Sequence, residues 1–259
     1  FRYNFSLTSL RNRDGTLASN CREYVLPGAH ADIGGGYHNH DVDHVLLMPD
    51  ITVADIQGPK DSAPYTRTPE YVEREALIDK VIDAGWCTGD AIYLEATKLR
   101  GAAENGVHEA TFVDRSGETR QKTLIGTRRQ IRLSLRMSRF MRNDYSRIPL
   151  YLMHEAAQIQ GVPFMDLEKP SVGTSDSDPD AAPYKDRKKL YGTRLSGPLA
   201  QFWQQLRGQM RQGDTCPLGE NQIHLLRRFW LHYSANWEPE YKVLHPHAPA
   251  KKRAVYPNA

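Results

Sequence analysis

The chain has 259 residues, enough for one large domain or two small ones with a sizeable core, so stability needs neither disulfides nor a structural metal. Hydrophobic residues at 39%, charged residues at 25% and a mean hydropathy of -0.62 exclude a fibre, a wholly disordered chain and a multi-span membrane protein. The net charge of +3 by itself points to no nucleic-acid or membrane partner.

Cys21, Cys87 and Cys216 lie far apart and are odd in number. They read as reduced, mostly buried thiols, not as a disulfide framework or a cysteine-based zinc site. No run of about 18 apolar residues is present, so no helix is expected to cross a bilayer. The opening Phe1-Arg-Tyr-Asn-Phe-Ser-Leu7 reads as strand from its first residue, as if cut from a longer sequence.

In chain order, residues 1–8 and 22–26 read as strands separated by an Asp14-Gly15 turn. Pro27-Gly28 stops the second. A polar loop follows, with Gly34, Gly35 and Gly36 in succession and a His- and Asp-rich run to His44. Residues 57–69, with three prolines, read as an irregular crossing. Pro69 opens a helix that Gly85 closes, and a second short helix is expected over 90–99. The period then switches to two. Residues 108–113 and 119–125 flank a turn at Asp114-Arg-Ser-Gly117, and Ile131, Leu133, Leu135 and Met137 alternate with Gln130, Arg132, Ser134 and Arg136. That strand should have one apolar and one cationic face. Helical periodicity returns over 148–160, residues 171–183 read as a mobile loop, and Leu199, Trp203, Leu206 and Met210 mark an amphipathic helix, with another over 220–230.

Residues 115–147 hold ten bases and two acids, a local +8, which leaves the remaining 226 residues at −5. The block suits a solvated strand face with scattered acidic partners. A second reading is a surface for phosphate headgroups, with Arg128, Arg132 and Arg136 as contacts, because guanidinium forks match phosphate oxygens. No helix-turn-helix, zinc-finger or RNP-like pattern accompanies the bases, so no nucleic-acid partner is expected.

Residues 30–44 carry His30, His38, His40, His44, Asp32, Asp41 and Asp43. One alternative is a metal site of His30, Asp32, His40 and His44 supporting metallohydrolysis. Another takes the strand followed by a His loop as the place where a hydrolase presents its general base. A third is a histidine hydrogen-bonded within a Gly-rich turn.

The block Pro27-Gly-Ala-His-Ala-Asp-Ile-Gly-Gly-Gly-Tyr37 resembles the signature of an α/β-hydrolase family that includes the Tle phospholipase effectors of bacterial type VI secretion. The resemblance extends to residues 143–157, to Leu231-His-Tyr-Ser-Ala-Asn-Trp237 and to Val255-Tyr-Pro-Asn258. It implies an α/β fold, with residues 1–56 as the last strands and His loop of a hydrolase-like sheet. Residues 57–259 are then an appended mixed α+β, largely helical region with a basic hairpin, packing on that core and docking on membrane. It further implies that His30 is the triad base, with Asp32, Gly34, Gly35 and Gly36 supporting its loop. His232 lines the site or packs nearby.

No Ser in the chain has Gly at both −2 and +2, and Ser175 comes nearest with one. The G-x-S-x-G elbow of such enzymes is therefore expected upstream of Phe1, together with the acid. The resemblance implies a type VI effector without a signal peptide, cytoplasmic before export and needing no cofactor. Its implied partners are membrane phospholipid, a cognate immunity protein and a secretion spike protein. The non-enzymatic alternative is a docking module for anionic lipid or a protein.

Overall fold

The computed structural model describes residues 7–8, 10–38, 40–101, 103–164, 167, 195, 197–210, 218–233, 235–237 and 255–256. The strands are β1 (Leu7–Thr8), β2 (Asp41–Leu46), β3 (Ile51–Gln57), β4 (Ser62–Ala63), β5 (Ile92–Lys98), β6 (Glu104–Val113), β7 (Thr119–Met141) and β8 (Val255–Tyr256). The helices are α1 (His30–Gly34), α2 (Pro69–Asp83), α3 (Arg147–Ile159), α4 (Gly197–Met210) and α5 (Glu220–Phe229).

The 23-residue β7 is the spine of a six-stranded sheet. Leu133 pairs with Ile51 of β3 on one side and Ala96 of β5 on the other, and Met137 likewise lies between Val45 of β2 and Ile92 of β5. β6 forms a hairpin with the first half of β7, and β4 adds to the outer edge of β3. Every pairing in this sheet is antiparallel, so it contains none of the parallel crossover units expected of a hydrolase core. β1 and β8 form a separate parallel pair.

The period of two predicted for β7 is present. Ile131, Leu133, Leu135 and Met137 are buried on one face, where Leu77, Ile78 and Val81 of α2 pack with Trp86 on Leu135, Met137 and Ile92, and Tyr65 and Tyr71 pack on Ile131 and Leu133. Burial of each such side chain is worth roughly 1.5–3 kcal/mol. Nearer the hairpin the buried set moves to the other face, where Leu124 and Ala110 meet Ile56 and Ala63 while Ile125 lies exposed. Pro69 occupies the first position of α2, as the sequence predicts, and Thr68 caps the helix by accepting from the Tyr71 N–H.

Helices α3, α4 and α5 build a second core from Tyr145, Ile148, Leu152, Leu199, Phe202, Trp203, Leu206 and Leu226, closed by Trp230 and Leu231. Trp86 touches both cores and joins this helical layer to the sheet.

Several expectations are corrected. Residues 22–26 have strand-forming side chains but no ladder partner among the described residues, and are not a strand. The run ending at His44 is not all loop, because Asp41–Leu46 pairs with Arg136–Met141. The helix expected over 90–99 is strand β5, since pairing with β7 outweighs the local preference of Glu95, Ala96 and Lys98 for helix. β3 runs across residue 56, and strands β4 to β7 follow it together with helices α2 to α5, so a boundary at 56 would fall inside a strand. The expected loop at 171–183 and residues 238–254 lie outside the described residues.

Candidate functional site

The glycine block folds into a single helical turn. Ala29 is the N-cap of α1, and the Asp32 carboxylate, at the third position, reaches back to accept from the Ala29 N–H at 2.8 Å. Of the three successive glycines only Gly35 takes a left-handed conformation, with φ 73°, where it ends the helix. Gly28 precedes the turn at φ 123°, and a Cβ there would stand 3.0 Å from the Asp32 Cβ and 3.2 Å from Leu231. A side chain at 28 would therefore strain the backbone and push Asp32 or Leu231 aside.

His30 occupies the first position of α1 and is exposed. Asp32, two residues on and so about 200° round the helix, points inward and is 4% exposed. Its Oδ1 accepts from His232 twice, from Nδ1 at 2.7 Å and from the backbone N–H at 3.3 Å. A carboxylate can only accept, so Nδ1 of His232 carries the proton. His232 is 7% exposed, its ring stacks on Tyr37 at a centroid distance of 3.5 Å, and its Nε2 has no hydrogen-bond partner among the described residues.

Residues further along the chain hold this arrangement in place. Tyr145 donates its hydroxyl to the Pro27 carbonyl at 2.8 Å, and the Asn143 amide donates to the Tyr37 carbonyl at 3.1 Å. Arg139, on the inward face of β7 and 6% exposed, donates to the carbonyls of Trp86, Arg227 and Leu231 and pairs with Asp43 at 2.7 Å. Asp43 in turn accepts from the Tyr233 N–H, and Asn236 bonds both ways with the backbone of β2 at His44 and Leu46. The segment around His232 is thus fastened to the sheet.

Asp144 lies beside this site. Burial pushes its pKa up, but hydrogen bonds from Arg142 and the Trp230 indole, with the charges of Arg142 and Arg147, outweigh burial and hold it below the ordinary carboxylate value. Burial raises the Tyr233 phenol. It also raises the Cys87 thiol, which therefore stays protonated. Cys21 is half-buried, and Cys216 lies outside the described residues.

The structure thus brings Asp32 and His232 into contact, with His30 on the same turn and Gly34, Gly35 and Gly36 at its end. It does not gather His30, Asp32, His40 and His44: among the described residues no three His, Cys, Asp or Glu side chains converge as a metal site. His44 sits on β2, and His40 enters it with φ 59°. Arg128 and Arg132 are exposed on the outward face of β7, and Arg136 is half-buried with its Nε donating to Ser134. Glu104 stands opposite Arg128, and Glu95 lies between the pairing positions of Arg132 and Arg136, so this face is less cationic than the local sequence suggests. Sequence reasoning missed the link between Asp32 and His232, the Tyr37 stack and the buried role of Arg139. The period of two would have turned Arg139 inward, in phase with Leu135 and Met137.

A sheet built on one long central strand, with a helical layer that holds a histidine-bearing turn, is a fold with a solved counterpart. That counterpart is the Tle1 effector, in a structure where it is bound to the VgrG spike from the Type 6 secretion system; the TM-score is 0.59 and the identity 18%. The match covers 100% of this chain and 48% of that one, so the chain spans about half of its neighbour's length. No protein-family model and no curated protein matches the sequence.

Proposed function

We propose that the chain is the carboxyl-terminal portion of a Ser-Asp-His ester hydrolase acting on membrane glycerophospholipid. The observation that carries this reading is the exposed His30 on a turn pinned from below by buried Asp32, within a fold similar to that of the Tle1 effector. In this reading an upstream serine attacks the acyl carbonyl. His30 takes the serine proton as general base and returns it to the leaving alcohol, and backbone N–H groups hold the oxyanion. The absence of G-x-S-x-G from the 259 residues supports placing the nucleophile and acid in preceding sequence. Residues 1–56 then join that preceding core, and Arg128, Arg132 and Arg136 meet anionic headgroups. A secretion spike, as on the neighbour, carries the protein to a target cell, where a cognate immunity protein opposes it.

The test compares two polypeptides. The 259-residue chain alone is expected to hydrolyse no short-chain ester. A polypeptide extended upstream to include a G-x-S-x-G is expected to hydrolyse glycerophospholipid and to lose that activity in His30→Ala. Hydrolysis by the 259-residue chain alone, abolished by His30→Ala, would overturn the upstream placement. Full activity of the extended His30→Ala variant would overturn the role of His30.

A further inference from the structure

We infer that Asp32 and His232 form a latch that fixes the turn presenting His30, which makes His232 a positioning residue; its catalytic consequence rests on the reading just given. One carboxylate ties three N–H groups from chain segments 200 residues apart. Oδ2 takes the N–H of Ala29, the residue immediately before His30, and Oδ1 takes the ring and backbone N–H groups of His232. Both side chains are buried, so water competes poorly for these bonds, and charge-assisted bonds of this kind are about twice as strong as neutral ones.

The latch also has a fixed reference. Leu231, next to His232, is held through its carbonyl by Arg139 of β7, and Tyr233 on the other side donates its N–H to Asp43 of β2. A path of direct contacts therefore runs from the sheet through His232 and Asp32 to the backbone of Ala29. Tyr37, which follows the glycine run, covers one face of the His232 imidazole. The turn carrying His30 is clamped at its beginning by Asp32 and at its end by that stack. Among the described residues the hydrogen bond of the His232 ring is the one from Nδ1 to Asp32, so the ring serves as a strut.

Displacing a general base by about 1 Å costs on the order of 100-fold in rate without weakening substrate binding, and the latch sets that displacement. Its removal should lower kcat and leave KM nearly unchanged.

Three variants separate a latch from mere packing. His232→Phe keeps a ring against Tyr37 but removes the donor. His232→Asn loses the ring but places an amide N–H near the former Nδ1. Asp32→Asn keeps the volume and removes the charge. In the 259-residue chain, amide hydrogen exchange should find Ala29 and His232 protected. His232→Phe and Asp32→Asn should speed exchange at Ala29 by about tenfold or more while Leu133 in β7 is unaffected, and His232→Asn should restore protection. Exchange of the wild-type Ala29 and His232 amides at the rate of open chain overturns the latch, whether or not any variant folds. Unchanged Ala29 exchange in both His232→Phe and Asp32→Asn overturns it as well.

In the extended, hydrolytic polypeptide, His232→Phe should lower kcat by roughly 10–100-fold with KM within about twofold, and His232→Asn should recover most of the loss. Equal losses in His232→Phe and His232→Asn, or a rise in KM instead, overturn the positioning role. If the wild-type extended polypeptide hydrolyses nothing, the proposed activity fails, while the exchange measurement still decides the latch.

Discussion

Arg139→Met removes a buried cation that fastens the helical layer to the sheet. The guanidinium is 6% exposed, donates to the carbonyls of Trp86, Arg227 and Leu231, pairs with Asp43 at 2.7 Å and lies over the Trp86 ring at 5.4 Å. Methionine fills much of the volume but leaves three carbonyls and one carboxylate without their donor. Breaking a buried ion pair from one side costs about 3–5 kcal/mol. Asp43 keeps its bond from the Tyr233 N–H, and its side chain is 12% exposed, which admits some water; both place the loss near the lower end, about 3 kcal/mol.

With a urea slope of roughly 3 kcal/mol per molar, the unfolding midpoint should fall by about 1 M. Arg120→Met is the control, because Arg120 pairs with Asp114 and Glu118 from a side chain that is 58% exposed, and such pairs contribute about 1 kcal/mol or less. Adding Asp43→Leu to Arg139→Met should recover part of the loss, since no uncompensated carboxylate then remains. An Arg139→Met midpoint no lower than that of Arg120→Met would refute the assignment of Arg139 as the fastening between layers.

Two further outcomes follow from the same region. Gly28→Ala must place a Cβ against Asp32 and Leu231 at φ 123°, and should cost about 1–3 kcal/mol by chemical denaturation; a loss under about 0.5 kcal/mol would show that the turn yields easily. Asp144, held below its ordinary value when folded, contributes stability that is present above the unfolded carboxylate pKa of about 3.9 and is lost as pH falls through the lower folded value. Asp144→Asn should therefore melt well below wild type at pH 7, with the gap closing toward pH 3, and a gap that stays constant with pH would contradict the ion pair and indole bond as its cause.

Elements with a complete local pattern could be read from the sequence. Pro69 at the start of α2, the Asp114 turn between β6 and β7, and the alternation from Ile131 to Met137 each announce themselves within a dozen residues. β5 could not be read so, because Glu95, Ala96 and Lys98 suit a helix until β7 supplies ladder partners 33 to 45 residues away. The strand-like residues 22–26 fail for the converse reason, having favourable side chains and no partner among the described residues. At the site, the glycine run and His30 were visible as a block. The partner that fixes the block, His232, is 200 residues distant and joined by no spacing rule, so only three dimensions reveal it.

The central position of β7 has a consequence for the order of events as the chain is made. Every other strand of its sheet except β4 pairs with it, yet it is the last of those strands to leave the ribosome. Ile51 must wait about 80 residues for Leu133, a separation that makes closure slow. Until then β2, β3 and β5 have no neighbour on the sides β7 will occupy, and Val45, Val53 and Ile92 face solvent in a half-made chain. Release of residue 141 is thus the moment at which assembly becomes possible, and a substitution that delays β7 would lower yield through aggregation before it lowered the stability of the finished fold.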